Sequence, residues 1–300
     1  MKLDKRQQTR LEEKHDLFFL DDERIPLSGQ PLRFDPACIE GIVCNFFFQH
    51  NAVADLPRLR HVQLTSAGLD RVPVEELKAR NIRLFNAGSA YAVPMAEWAV
   101  GKILELYKCS AFFARNRRER RWEKRRDIRE LSGATAAIVG FGNVGRCIAQ
   151  RLQAFGVSIL AVDIVADASG LADAWYPVAE LGNALEQADI VVLTLPLMAS
   201  TYHILDDGKL ARMKPDAVLV NVARGPLIDE AALLEHLRRG RFWGVALDVF
   251  EREPLDSSSP LWTCDRVILT PHNSFVGTGN QERLFQVLLN NLEHGEEGRA

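Results

Sequence analysis

"IVGFGNVGRCIA", residues 138–149, decides how the rest of the chain reads. It spaces Gly140, Gly142 and Gly145 as G-x-G-x-x-G. The residues leading into it, "ATAAIVG" (134–140), are apolar and suited to a strand. Those leading out, "GRCIAQRLQAFG" (145–156), place Ile148, Leu152 and Phe155 at spacings of four and three, which predicts a helix. Strand, glycine turn and helix together form the context in which this loop binds a dinucleotide. Gly140 permits the tight turn, Gly142 lets a pyrophosphate approach the backbone, and Gly145 lets helix pack on strand. The first helical turn, with Asn143 and Val144, offers unpaired N–H groups and the positive end of the helix dipole. Asp163 ends the next apolar run, 18 residues after Gly145. A carboxylate there accepts hydrogen bonds from ribose hydroxyls and repels a 2′-phosphate, and Ile164 and Val165 follow it rather than an arginine. The expected cofactor is NAD, with NADP disfavoured. S-adenosylmethionine sites can share such a loop, so the motif by itself leaves the cofactor class open.

Outward from this loop, β-prone runs recur at 157–163, 189–195, 216–222, 242–249 and 266–270. Amphipathic helical stretches lie between them, among them 179–188 and 229–240. The latter opens on Asp229 and Glu230 and closes on Arg238, Arg239 and Gly240, matching the helix dipole and a glycine stop. Near-continuous apolar strands alternating with helices predict a doubly wound parallel sheet, covered on both faces. Before residue 90 a smaller α/β unit is expected, with strands in "DLFFL" (16–20), "EGIVCNFFF" (40–48), "LRHVQLT" (59–65) and "NIRLFN" (81–86) and a helix at 73–80. Residues 93–107 read as a long helix with Pro94 in its first turn, and 280–295 as a tail helix, with "EEGRA" fraying after it. The domain junction falls near 86–92.

The charge of −3 across 300 residues speaks against a nucleic-acid or membrane partner. Five cysteines without a CxxC pair point to reduced thiols in a cytoplasmic protein, with no metal or disulfide framework. No apolar signal core and no run of about 18 apolar residues is present. The run 115–130 holds nine Lys or Arg against four Asp or Glu, and reads as a solvated helix between domains or at a subunit contact.

In open α/β sheets, ligands lie beyond the carboxyl ends of the strands. Three polar residues stand there. Arg224 follows the run 216–222, Glu253 lies in "LDVFEREPL", and His272 lies in "ILTPHNS". A histidine titrates near neutrality, a neighbouring carboxylate orients it, and a guanidinium fork matches an organic acid. These types fit hydride chemistry on a 2-oxo acid: His272 as general acid/base, Glu253 as its partner, Arg224 as anchor and polariser of the substrate. The other histidines, at 15, 50, 61, 203, 236 and 294, lack such context and read as structural.

The order "TSAGLDRVP", "VPMAEWAVGKIL", "ELSGATAAIVGFGNVG", "TLPLMASTYHIL", "NVARGPLIDEAAL", "GVALDVFEREPL" and "ILTPHNS" resembles the D-isomer-specific 2-hydroxyacid dehydrogenases over about residues 60–290. The resemblance implies a doubly wound parallel-sheet Rossmann domain (91–274) inserted into a smaller flavodoxin-like α/β substrate domain. That domain would comprise residues 1–90 and a returning C-terminal helix (275–300). It implies an NAD-dependent oxidoreductase acting on a small 2-hydroxy or 2-oxo acid, and a homodimer built through the nucleotide domains. It carries the same three roles onto Arg224, Glu253 and His272. It further implies that backbone amides around Ser66, Ala67 and Gly68 bind the substrate carboxylate, and that Leu195, Pro196, Thr201, Val222 and Asp248 line the nicotinamide and ribose sites. Departures stand in the short N-terminal unit, in Tyr91 and Pro94 near the hinge, and in "FFF" (46–48), read as core strand or as an apolar wall beside the substrate. The alternative from another class is a non-catalytic NAD(H)-sensing, corepressor-like protein of the same fold. A formate-type enzyme is disfavoured, because that group resembles this chain but carries Gln where Glu253 stands.

Overall fold

A computed structural model of the chain describes residues 3–69 and 71–294. It divides into two compact units, one formed by the chain up to Tyr91 together with the residues from Gly277 onward, the other by Ala92–Val276.

The smaller unit opens on helix α1 (Lys5–Glu12), capped by the Asp4 side chain, which accepts from the Gln7 amide at 2.8 Å. Its sheet contains β1 (Gly41–Cys44), β2 (His61–Leu64) and β3 (Arg83–Phe85) in the order β1-β2-β3, all parallel. The short helices α2 (Phe47–His50) and α3 (Val74–Ala79) make its crossovers. Every residue of β2 is buried, as the central strand of a covered parallel sheet requires.

Two expectations for this unit are corrected. "DLFFL" forms no strand. Leu17 packs with Leu11 and Leu288 while Leu20 joins the core of the sheet, so its apolar residues serve two cores rather than one pleated face. "FFF" ends a strand instead of extending it. The Glu23 carboxylate accepts from the Asn45 and Phe46 amides at 2.7 and 3.0 Å, and this takes the next donors away from the ladder. The chain then turns into α2 and buries Phe47.

The larger unit begins with α4 (Ala92–Tyr107) and α5 (Ser110–Glu119). Seven parallel strands follow: β4 (Thr135–Val139), β5 (Ser158–Val162), β6 (Ala174–Tyr176), β7 (Ile190–Leu193), β8 (Val218–Asn221), β9 (Gly244–Leu247) and β10 (Val267–Leu269). Their order, β10-β9-β8-β7-β4-β5-β6, reverses direction beside β4. That topological switch point is where a doubly wound sheet binds its ligand. Helices α6 (Asn143–Gln153), α7 (Leu181–Gln187), α8 (Asp207–Arg212) and α9 (Glu230–Arg238) connect the strands. The sheet face shared with α4 and α6 buries Ala96, Ala99, Ile103, Ile148 and Leu152, with alanines where the helices approach closely. Strand β6 and helix α8 carry no pattern strong enough to be read beforehand. The chain ends, within the described residues, in α10 (Asn280–His294), which belongs to the smaller unit. "EEGRA" lies outside the described residues.

The basic run is helical only to Glu119. Arg120 turns into the left-handed region at φ 56°, and residues 121–130 form no regular secondary structure. Arg125 lies 5.5 Å from the rings of both Phe112 and Trp243, and Arg129 lies 4.2 Å from Trp243. Like charges one helical turn apart disfavour continuing the helix, while contacts with aromatic faces hold the chain after it.

Candidate active site

The glycine loop joins β4 to α6. Gly140 has φ +93°, and a Cβ there would meet the Leu195 backbone nitrogen at 2.5 Å. A Cβ on Gly145 would meet the Gly140 carbonyl oxygen at 2.2 Å. These two glycines are required by packing. Gly142 differs: a Cβ on it would face open space. The first helical bond of α6 runs from the Arg146 amide to the Gly142 carbonyl. Among the described residues, the N–H groups of Gly142, Asn143 and Val144 have no protein acceptor. A concave backbone with three donors and one open glycine fits a pyrophosphate at a helix N-terminus.

Asp163 follows β5. One of its oxygens accepts from the Phe141 amide within the glycine loop, the other from the Ile164 amide at 2.7 Å. The acid therefore braces the loop. Leu195 and Val222 are buried, and Pro196 lies in the segment after β7. The hydroxyl of Thr201 donates to the Pro196 carbonyl at 2.8 Å and accepts from the Met198 amide at 2.7 Å. Its polar atom closes its own turn.

Arg224, Glu253 and His272 leave the carboxyl ends of β8, β9 and β10, three adjacent strands. Three sets of contacts stitch their loops together. His272 Nδ1 lies 2.8 Å from Glu253 Oε2. A carboxylate only accepts, so Nδ1 carries the hydrogen and Nε2 is left for chemistry. The second Glu253 oxygen accepts from the Phe250 amide at 3.2 Å, which fixes the carboxylate at both ends. Glu253 and His272 stay 37% and 38% exposed, open enough to meet a small molecule.

Asp248 makes the second set. It is fully buried, and its carboxylate accepts from the Thr270 hydroxyl, from the Asn273 amide at 2.8 Å and from the Ser274 amide at 2.9 Å. Its own carbonyl accepts from the His272 amide at 2.7 Å. The whole turn holding His272, itself at φ +51°, hangs on this aspartate. Gly225 makes the third set. A Cβ there would sit 1.8 Å from the Phe250 carbonyl carbon, so the Arg224 loop lies directly against the loop carrying Glu253. Asn221 Nδ2 donates to the Arg224 carbonyl at 2.9 Å, and an Arg224 Nη1 donates to the Ala223 carbonyl at 2.7 Å.

The clamping roles of Gly225, Asn221 and Asp248 were not read from the sequence. The available signal was a polar side chain at the last buried position of an apolar strand, in "LVNV" and "ALDV". His203, read as structural, meets Glu251 at 2.7 Å. Glu251 also accepts from the Glu230 amide, and burial pushes the Glu230 carboxyl up. With Asp229, the His203 and Glu251 ligand atoms lie within 4.8 Å of one another.

In the smaller unit, the segment after β2 holds Ser66, Ala67 and Gly68. The Ser66 carbonyl accepts from the Ala87 amide at 2.9 Å, and the Ala67 carbonyl from Asn86 Nδ2 at 3.1 Å. Among the described residues, the N–H groups of 66, 67 and 68 have no acceptor.

The profile of the family described as D-isomer specific 2-hydroxyacid dehydrogenase, NAD binding domain, matches residues 100–274. A glyoxylate reductase of Thermofilum pendens is 34% identical over 244 residues, covering 79% of this chain and 71% of its own. A hydroxypyruvate reductase of Thermotoga maritima is 35% identical over 217 residues, covering 71% and 70%. Among solved structures, a D-isomer specific 2-hydroxyacid dehydrogenase from Xanthobacter autotrophicus Py2, in complex with NADPH and MES, superposes with a TM-score of 0.75 at 27% identity, covering 89% of this chain and 84% of that one. Glycine loop, strand order and family profile agree, and the chain belongs to the D-isomer-specific 2-hydroxyacid dehydrogenase family.

Proposed function

We propose that this protein interconverts a small 2-oxo acid and its 2-hydroxy acid with NAD(H), using His272, Glu253 and Arg224. One observation carries the reading: the His272–Glu253 pair, held at 2.8 Å on loops that are stitched to the loop of Arg224. When bound, NAD(H) gives or takes the hydride. The chain supplies the rest. Amides of Gly142, Asn143 and Val144, with Gly140 and Gly145 shaping the loop, hold the pyrophosphate. Asp163 meets the adenosine ribose and disfavours a 2′-phosphate, so NAD is preferred over NADP. Leu195, Pro196 and Val222 wall the nicotinamide side, while Thr201 and Asp248 act by holding the loops around it.

In the reducing direction, His272 Nε2 gives its proton to the carbonyl oxygen as that oxygen gains negative charge. The Glu253 carboxylate accepts the Nδ1 hydrogen and keeps the ring from rotating. Arg224 anchors the substrate carboxylate and polarises the carbonyl. In the smaller unit, the N–H groups of Ser66, Ala67 and Gly68 are donors suited to a substrate carboxylate. In the oxidising direction, His272 accepts the hydroxyl proton. The smaller unit thus serves as the substrate domain. We further propose a homodimer built through the larger unit and a cytoplasmic location. No helix among the described residues is long and apolar enough to cross a membrane.

The test is NADH oxidation followed spectrophotometrically with glyoxylate, pyruvate, hydroxypyruvate, phosphohydroxypyruvate and branched 2-oxo acids. Steady turnover with at least one is expected. Binding of NADH without turnover on any would sink the enzymatic reading.

A further inference from the structure

His203 joins the two loops that carry Arg224 and Glu253. Its backbone amide donates to the Pro226 carbonyl at 2.8 Å. The residues after it run beside the same loop: the Leu205 amide donates to the Leu227 carbonyl at 3.0 Å, and the Asp229 amide to the Leu205 carbonyl at 3.1 Å. Its ring turns to the other loop, where Nε2 lies 2.7 Å from Glu251 Oε1. A carboxylate only accepts, so Nε2 carries the hydrogen of this bond. The Tyr202 ring covers one face of the imidazole, with centroids 4.0 Å apart and planes 18° apart. His203 itself sits at φ +47°, uncommon for a residue with a side chain, so its backbone is fixed as well as its ring.

Glu251 is where the two loops meet. Its side chain accepts from the Glu230 amide at 3.1 Å, and its own amide donates to Glu230 Oε2 at 3.3 Å. A Cβ on Gly225, the residue after Arg224, would lie 2.4 Å from that same amide nitrogen. Glu253 stands two residues further on. The Asp229 carboxylate closes the group, its Oδ2 4.0 Å from His203 Nδ1. Asp229, Glu230 and Glu251 thus crowd one place, where like charges repel. The imidazole hydrogen offsets that repulsion at Glu251 and keeps its carboxylate against the Glu230 amide.

We propose that His203 and Glu251 form a positioning pair that keeps the Arg224 loop and the Glu253 loop in register. Substrate anchor and proton donor then meet one substrate in one geometry. The inference rests on the proposed function, which gives Arg224 and Glu253 their roles, and the pair itself touches neither substrate nor cofactor. A displacement of about 1 Å at the reacting groups can cost roughly 100-fold, so a bond behind the loops is felt in turnover before it is felt in stability.

The experiment takes the 2-oxo acid that the wild type reduces fastest with NADH. His203→Phe keeps a ring against Tyr202 and removes the donor. It should lower kcat/KM about tenfold, the size of one charge-assisted hydrogen bond, with kcat lowered and KM raised. NADH affinity should stay within about twofold and the melting temperature within a few degrees. His203→Gln, which can still donate to Glu251, should recover most of the loss. The double variant His203→Phe with Glu251→Met should lose no more than Glu251→Met alone, because both changes remove one shared bond. Followed by hydrogen exchange, the amides of Glu230 and Glu251 should open at least tenfold faster in His203→Phe, a readout independent of turnover. Unchanged kcat/KM in His203→Phe overturns the inference and leaves the dehydrogenase reading intact. Losses that Gln does not recover, or that add in the double variant, overturn it too, since they mark a merely structural ring. No wild-type turnover with any acid overturns both.

Discussion

The two parallel sheets place functional groups at the same kind of edge but hold them differently. At the seven-stranded sheet, the loops after β8, β9 and β10 are tied by buried groups: Asp248 to the turn of His272, Gly225 against Phe250, Glu253 to both His272 and Phe250. At the three-stranded sheet, the groups of interest are long and partly exposed. Arg24 and Arg71 lean on a ring, and the loop at 66–68 is held through its carbonyls with its N–H groups left over. The candidate histidine and carboxylate of the larger unit sit on clamped loops that keep one geometry. The two arginines of the smaller unit, by contrast, lie against one ring outside the buried core.

The sharpest break of that contrast is His272→Ala. It should cut kcat by about 100- to 10,000-fold, the usual contribution of a general acid. NADH affinity, measured by fluorescence titration, should stay within about threefold. Collapse of NADH binding instead would make His272 a structural residue.

The glycine loop offers a contrast within one turn. Gly140→Ala forces a side chain into a left-handed backbone and against Leu195, and should cost roughly 2–4 kcal/mol of stability. Gly142→Ala meets nothing and should leave the melting temperature unchanged, yet weaken NADH binding about tenfold by occupying the phosphate cradle. Equal effects of the two on melting would refute this division.

Acid should test the smaller unit first. His61 is buried in β2 against Phe85, its Nε2 has no partner, and burial, with Arg83 and His15 adding to it, pushes its pKa down to about 4. Its folded value lies below the unfolded one, so both states are neutral at pH 7. Stability is then lost as pH falls from about 6.5 toward 4, by roughly 3 kcal/mol in total. His61→Phe should flatten this decline in a series of melting curves, and an undiminished decline would place the sensitivity elsewhere.

The smallest effect expected is that of Asp163→Ala, an erosion of the NADH-over-NADPH preference by about tenfold, roughly 1.4 kcal/mol. A preference that stays the same would remove the ribose role and leave Asp163 as a brace for the Phe141 amide.

The larger unit was legible because its strands are apolar throughout and its helices keep a steady period. Each of those signals is local. The smaller unit was harder to read. "DLFFL" looks like a strand, yet Leu17 and Leu20 belong to different cores, one of them built with a helix more than 260 residues away in sequence. "FFF" looks like the continuation of β1, yet Glu23, some twenty residues earlier, takes its amides. Long-range capture of backbone donors leaves no periodic trace. Among the candidate residues, Arg224, Glu253 and His272 stand out in the sequence because each is polar just past an apolar strand. The way the three are held was not found, because a clamp such as Asp248 or Gly225 is recognised by what it touches.

By itself, then, the sequence determined the alternation of strands and helices, the glycine loop with its acid, and which polar residues stand at strand ends, since these follow from spacing and residue type. Only the tertiary structure decided which atoms pair. It joined Nδ1 of His272 to Glu253, hung the histidine's turn on a buried aspartate, and set two arginines on one phenylalanine ring. The reason is that a side chain's partner depends on the register and crossing of elements distant in the chain, and those are settled by packing.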